Sequence, residues 1–302
     1  MVFRKIAISL TLTVCAYTVF SQQNPAIIVP VDSTRSKDSV TTFEAEQMQA
    51  KAKPGHMYKL CPKVDIPITA IGVGWAIYGF PKIYSKDKST PEQIMNLKES
   101  DIPGFDRWAA GMSDPSAEAA SDLLFYGSIP VPLALLLDKS VRKEAGKVGF
   151  MWLEAMSITG LFYIGTVFFV DRYRPETYNT DLPVDERQSG NNKDSFIGGH
   201  PALVATGMFF TAKVYGDYHP NTTLKPILYG AAIAATGATA YLRHKAGKHF
   251  PSDLLAGMAV GTLSGILVPH FHKNKPIKER NLGVMPYFDG STQGITLRYM
   301  PK

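Results

Sequence analysis

Two cysteines, Cys15 and Cys61, are too few for a disulfide-stapled scaffold. Cys15 falls inside a stretch, residues 1–21, that reads as a secretory signal peptide. Arg4 and Lys5 precede an apolar run over 6–20, and Val19 and Ser21 supply small residues before a cut. Val14 precedes Cys15, which argues against a lipoprotein cut there. With the leader removed only Cys61 remains, and no internal disulfide can form; a retained membrane anchor is the alternative. The net charge is +6, yet no compact basic stripe interleaved with aromatics is present. The lysines and arginines fall in connectors, so no nucleic-acid partner is expected and a membrane is. Past the leader, no charge-free run reaches the roughly 20 residues that span a bilayer. Finally, the close pair His270 and His272 lacks a third ligand nearby, so it reads as a basic helix end. No metal and no cofactor is expected.

What is present is a series of six apolar segments at 66–81, 123–137, 155–170, 197–212, 226–242 and 254–271, each 15 to 18 residues without Lys, Arg, Asp or Glu. Small residues fill them, as in GAAIAATGATA (230–240), and allow close helix packing in a membrane. The buried helices of a soluble bundle would look the same, and membrane-spanning is the preferred reading. The expected organisation is a leader (1–21), a polar segment (22–62) with a capping box at Thr41 and Glu44 and a short helix ending at Pro54-Gly55, a helical bundle (63–272), and a tail (273–302). In the tail, alternating strings at 284–288 and 294–299 flank Asp289-Gly290 and predict a β-hairpin. The fold class is all-α, a bundle of about six apolar helices with that hairpin appended. A connector of about 20 residues, 176–195, reads as a lid or specificity loop, with plain disorder as the alternative.

Three strings carry chemistry. LRHKAGKHFPSD (242–253) holds Arg243, His249 and Asp253. A His and an Asp four apart can share a helical face, and the Asp can then hold one imidazole nitrogen so that the other stays basic. Arg243 supplies a permanent charge for phosphate oxygens. SFIGGHPA (195–202) joins a glycine pair and His200 to Pro201 at a helix start, where backbone N–H groups cradle anions. DRYRPE (171–176) ends an apolar helix with Arg172, Arg174 and a proline. Each has a bland reading as a cap, a turn or a basic helix end.

Together and in this order, the strings resemble the type-2 phosphatidic acid phosphatase and vanadium haloperoxidase superfamily, over roughly residues 63–272. Arg174-Pro175 matches the end of its first motif, Gly199-His200 the end of its second, and Arg243, His249 and Asp253 its third. Three expected residues are replaced: a Lys by Val167, a Pro-Ser by Ile197-Gly198, and a Ser by Leu242. The resemblance implies that His249 attacks phosphorus to form a phosphohistidine, that Asp253 orients it, and that His200 protonates the leaving group. Arg174, Arg243 and the Gly199 amide would hold the phosphate oxygens, with Arg172 supplying the charge of the missing Lys. It implies that the helix places Val167 facing the phosphate, so that Val167→Lys with Gly198→Ser would raise activity.

The resemblance implies hydrolysis of phosphate mono- or diphosphate esters, of the phosphatidate, polyprenyl pyrophosphate or lipid A class. The alternatives are a weakened or inactive phosphate- or lipid-binding relative, a vanadate-dependent haloperoxidase, and a structural membrane protein. Basic connectors at 138–147 and after residue 271 read as cytoplasmic. They put Arg174 and His249 on the outer face of a bacterial-type inner membrane, facing the periplasm; a soluble periplasmic protein is the alternative. A cleaved leader followed by six crossings would put the site inside, and a first segment that does not cross would reconcile the two.

Overall fold

The computed structural model describes residues 56–274 and two strands beyond them. The leader, the capping box at Thr41 and Glu44, the short helix ending at Pro54-Gly55 and the Asp289-Gly290 turn lie outside the described residues. Helices α1 (Pro62–Ile83), α2 (Pro91–Met95) and α3 (Pro115–Ser128) come first, and a 3-10 stretch, Val131–Leu137, continues the line of α3. After α4 (Lys139–Arg142) come the long α5 (Ala145–Phe169), the short α6 (Val184–Arg187), and then α7 (Gly199–Tyr218), α8 (Leu224–Lys245) and α9 (Pro251–His272). Strands β1 (Leu282–Phe288) and β2 (Gln293–Tyr299) pair antiparallel with Leu282 opposite Tyr299, as the alternating tail strings predict. The six apolar segments are thus all helical, and the fold is the expected all-α bundle.

Local chemistry sets the starts. Pro occupies the first turn of α1, α3 and α9, where its missing N–H costs nothing. Asp114 caps α3 by accepting from the Ser116 and Ala117 amides, and Asp138 caps α4 likewise. The central element is α7, most of whose residues are buried. It packs against α3, α5, α8 and α9. Its seam with α9 is made by backbone. A Cβ added to Gly257 would sit 2.2 Å from the Gly198 carbonyl oxygen, one on Gly261 2.0 Å from that of Ala202, and one on Gly265 2.7 Å from that of Thr206. Glycine every four residues lets the two helices touch main chain to main chain.

Four stretches, Pro62–Ile83, Pro115–Leu137, Ala145–Phe169 and Pro251–His272, are long and apolar enough to cross a membrane. They leave Ile71, Ile77, Leu123, Phe162, Leu263 and Phe271 exposed. An apolar surface of this kind fits membrane insertion. The first segment, the one expected not to cross, is among these four. Helix α1 lies parallel to α5 for the length of the bundle: Gly72 backs onto Ser157, Gly79 onto Ile164, and Lys86, just past the end of α1, bonds the Val167 carbonyl. The two helices are matched in register and length, so if α5 crosses, α1 crosses with it.

Candidate active site

The chain enters at one end of the bundle, near residues 138–147 and Lys273. The sequence-predicted site residues gather at the other, where connectors 84–114, 170–198 and 246–250 meet. The 176–195 connector is ordered. It forms Pro175–Tyr178, α6 and Gly190–Lys193, and buries Arg187, Asn192, Asp194 and Ser195. Arg187 Nε donates to the Thr177 carbonyl at 2.7 Å, and Arg172 and Arg174 amides donate to the Lys193 and Asn192 carbonyls. The segment is therefore a fixed strap laid against the arginine motif.

His249 is buried, and its Nδ1 lies 2.6 Å from the Ser195 carbonyl oxygen. A carbonyl only accepts, so Nδ1 carries the proton and Nε2 keeps its lone pair. Burial, with the Arg243 and Arg174 charges adding, holds the imidazole pKa well below its usual 6.5 and the ring neutral. The shared helical face expected for His249 and Asp253 is corrected. Phe250 is the N-cap and Pro251 the first residue of α9, which leaves His249 in the preceding turn. Asp253 accepts from the Phe250 amide at 2.9 Å and from Ser195 Oγ at 2.6 Å. It thus braces Ser195, whose carbonyl holds the ring.

The turn that presents His249 depends on Gly247, at φ +70°, where a Cβ would stand 1.8 Å from the Met112 carbonyl oxygen. The Gly247 carbonyl in turn accepts from the Glu176 amide.

Arg174 and Arg243 both have a buried Nε with no hydrogen-bond partner among the described residues. Arg243 is otherwise held by Asp122 Oδ1 at 3.1 Å and Ser121 Oγ at 3.3 Å, and Arg174 faces Glu176 at 3.9 Å. His200, in the first turn of α7, has Nε2 3.0 Å from the same Asp122 Oδ1. Gly199 lies under the Tyr163 ring, where a Cβ would meet carbon at 2.7 Å. Arg172, expected to replace the missing Lys, has its guanidinium engaged by Asp106, Asp253 and Ser252, over the Phe250 ring. Val167 is fully buried among Ile83, Ile164, Trp75, Tyr163 and Phe168. The expectation that it faces the phosphate is corrected, since its side chain packs between α1 and α5.

Sequence reasoning missed three acids. Glu118 and Asp122, four apart on α3, turn one helical face toward the site, where Glu118 meets Lys248 at 3.0 Å. Two acids at that spacing beside an apolar run were the available signal. Asp106 receives the Ser252 amide and hydroxyl as well as Arg172, and so caps α9 from a distant loop. Burial pushes its pKa up, but these donors outweigh it and hold the carboxyl below its usual value. Nothing in the sequence marks that contact.

Comparison with family profiles matches residues 148–277, from α5 past α9, to the PAP2 superfamily. Comparison with curated proteins and with solved structures gives no match. The matched span contains Arg174, Gly199, His200, Arg243, His249 and Asp253 in the motif order read from the sequence. Residues 148–277 thus match the PAP2 superfamily, whose members are in general phosphatases acting on phosphate esters.

Proposed function

We propose that the chain hydrolyses phosphate mono- or diphosphate esters of lipids through a phosphohistidine on His249, at a site facing the periplasm. The observation that carries the reading is the pair of buried Arg174 and Arg243 Nε–H groups, unpartnered among the described residues, beside a neutral His249. Buried donors without acceptors are costly, and phosphate oxygens would satisfy both. His249 Nε2 attacks phosphorus and the bond to the leaving oxygen breaks. His200 gives that oxygen a proton, then takes one from the water that hydrolyses the phosphohistidine. The arginines and the amides at the start of α7 hold the equatorial oxygens. Asp253 and Arg172 are positioning residues, acting through Ser195 and the first turn of α9. The exposed apolar helices favour a lipid over a soluble ester.

The test is phosphate release from a short-chain phosphatidate by detergent-extracted protein. Wild type should turn over and, quenched during reaction, hold acid-labile phosphate, and His249→Ala should do neither. Turnover by His249→Ala would sink the mechanism. Phosphate binding without turnover in wild type would identify a binding relative, in which Asp122 and the missing Lys and Ser have silenced the chemistry.

A further inference from the structure

At the far end of α9 from His249, three buried side chains from three helices converge. They are Asp65 in the first turn of α1, Glu154 in α5 and His272 in the last turn of α9, all under a tenth exposed. Their ligating atoms all lie within 4.8 Å of one another. His272 Nδ1 is 2.8 Å from the Val268 carbonyl oxygen, which fixes the proton on that nitrogen and aims the Nε2 lone pair at the acids. Nε2 stands 3.0 Å from Asp65 Oδ2 and 3.5 Å from Glu154 Oε2. Glu154 Oε2 has no hydrogen-bond partner among the described residues.

A lone pair facing two carboxylate oxygens is repulsive unless a cation sits among them. A proton on Nε2 can bond one oxygen, and Asp65 is the nearer, which leaves Glu154 unsatisfied. One divalent ion would neutralise both carboxylates and use all three atoms. The two distances from His272 Nε2, 3.0 and 3.5 Å, fit: ligands roughly 2.0–2.2 Å from a zinc ion lie about 3.0–3.6 Å apart at tetrahedral or octahedral angles. The Nδ1–carbonyl bond is the outer contact that metal-bound histidines make.

We propose that Asp65, Glu154 and His272 bind a first-row divalent cation, with zinc as the probe. The two nitrogen-and-oxygen ligand types suit that class. The three residues line a cavity of about 650 Å³ walled by Val64, Ile68, Ile158, Phe162, Leu263 and Phe271, which leaves the ion a side open to exchange. The site is separate from the phosphate cradle, since the 22 residues of α9 put roughly 33 Å between its ends. An ion there would tie α1, α5 and α9 together at the end where the chain enters and leaves the bundle.

The experiment uses full-length, tag-free protein in detergent, stripped with chelator and dialysed against micromolar zinc. Wild type should retain one zinc per chain and melt several degrees higher than the stripped protein. Glu154→Gln, nearly the same shape, should bind at least tenfold more weakly and lose the melting shift, and Asp65→Asn and His272→Ala should behave alike. Cobalt on wild type should give visible bands of a nitrogen-and-oxygen site, a readout that needs no variant to fold. Wild type that retains no zinc, or variants that hold it as tightly, would overturn the proposal.

Discussion

Asp122 sits between Arg243 and His200, in reach of both. Its carboxylate takes an arginine donor that a phosphate would use, and its charge opposes a dianion. Asp122→Asn should therefore lower the inhibition constant of inorganic phosphate several-fold. It should also lower kcat, because His200 loses the acid that holds its proton. A steady-state inhibition series against wild type decides it, and unchanged inhibition would put Asp122 outside the cradle. His249 gives a second prediction. Its folded pKa lies well below 6.5, so as pH falls the unfolded chain takes up the proton first and stability is lost, from about pH 6.5 down to the folded pKa. Denaturant unfolding at about pH 7.5 and about 5.5 should show wild type losing stability relative to His249→Gln. A constant difference would mean that the ring titrates as in solvent. Arg243, His249, His200 and Arg174 could be named as candidates because spaced motifs name residue types. Ser195's carbonyl and Asp106 were not, because main-chain acceptors and loop-to-helix caps leave no pattern in one sequence.

The elements were legible from charge-free runs alone, since six apolar segments could only be helices of a bundle. Their ends moved outward by several residues, because helices continue into their capped, polar turns. The reading of Val167 failed for a geometric reason: a motif fixes spacing along the chain but not which side of α5 meets α1. Val167→Lys would put an ammonium among Ile83, Ile164 and Trp75, and should lower the melting temperature and yield folded protein poorly, with no gain in turnover. A folded, faster variant would show that the side chain reaches the phosphate after all. The glycine seam makes the opposite kind of claim. Gly261→Ala pushes a methyl against the Ala202 carbonyl, and should cost about 1–3 kcal/mol in chemical unfolding. Because α7 starts at Gly199 and α9 at Pro251, the same change should also lower kcat by misplacing His200 against His249. A loss of stability with kcat intact would mean that the two helix starts are set by the strap instead.

At the scale of the whole molecule, the compartment that the site faces is set by the sidedness of the bundle. A single Cys replacing exposed Asp185 in the strap, in a Cys15→Ser, Cys61→Ser background, should react with a membrane-impermeant thiol reagent on intact cells. Protection until the inner membrane is opened would place the site in the cytoplasm and exclude periplasmic lipids as direct substrates. The parallel course of α1 and α5 gives this test a wider meaning. If all six long helical runs cross, the number is even, so residue 56 and residue 274 emerge on one side and the proposed phosphate site opens on the other. The fate of the first 21 residues and the address of the active site are therefore one question with a single binary answer. A start that is exported would turn the site toward the cytoplasm, and the periplasmic site proposed above requires residue 56 to begin on the cytoplasmic side.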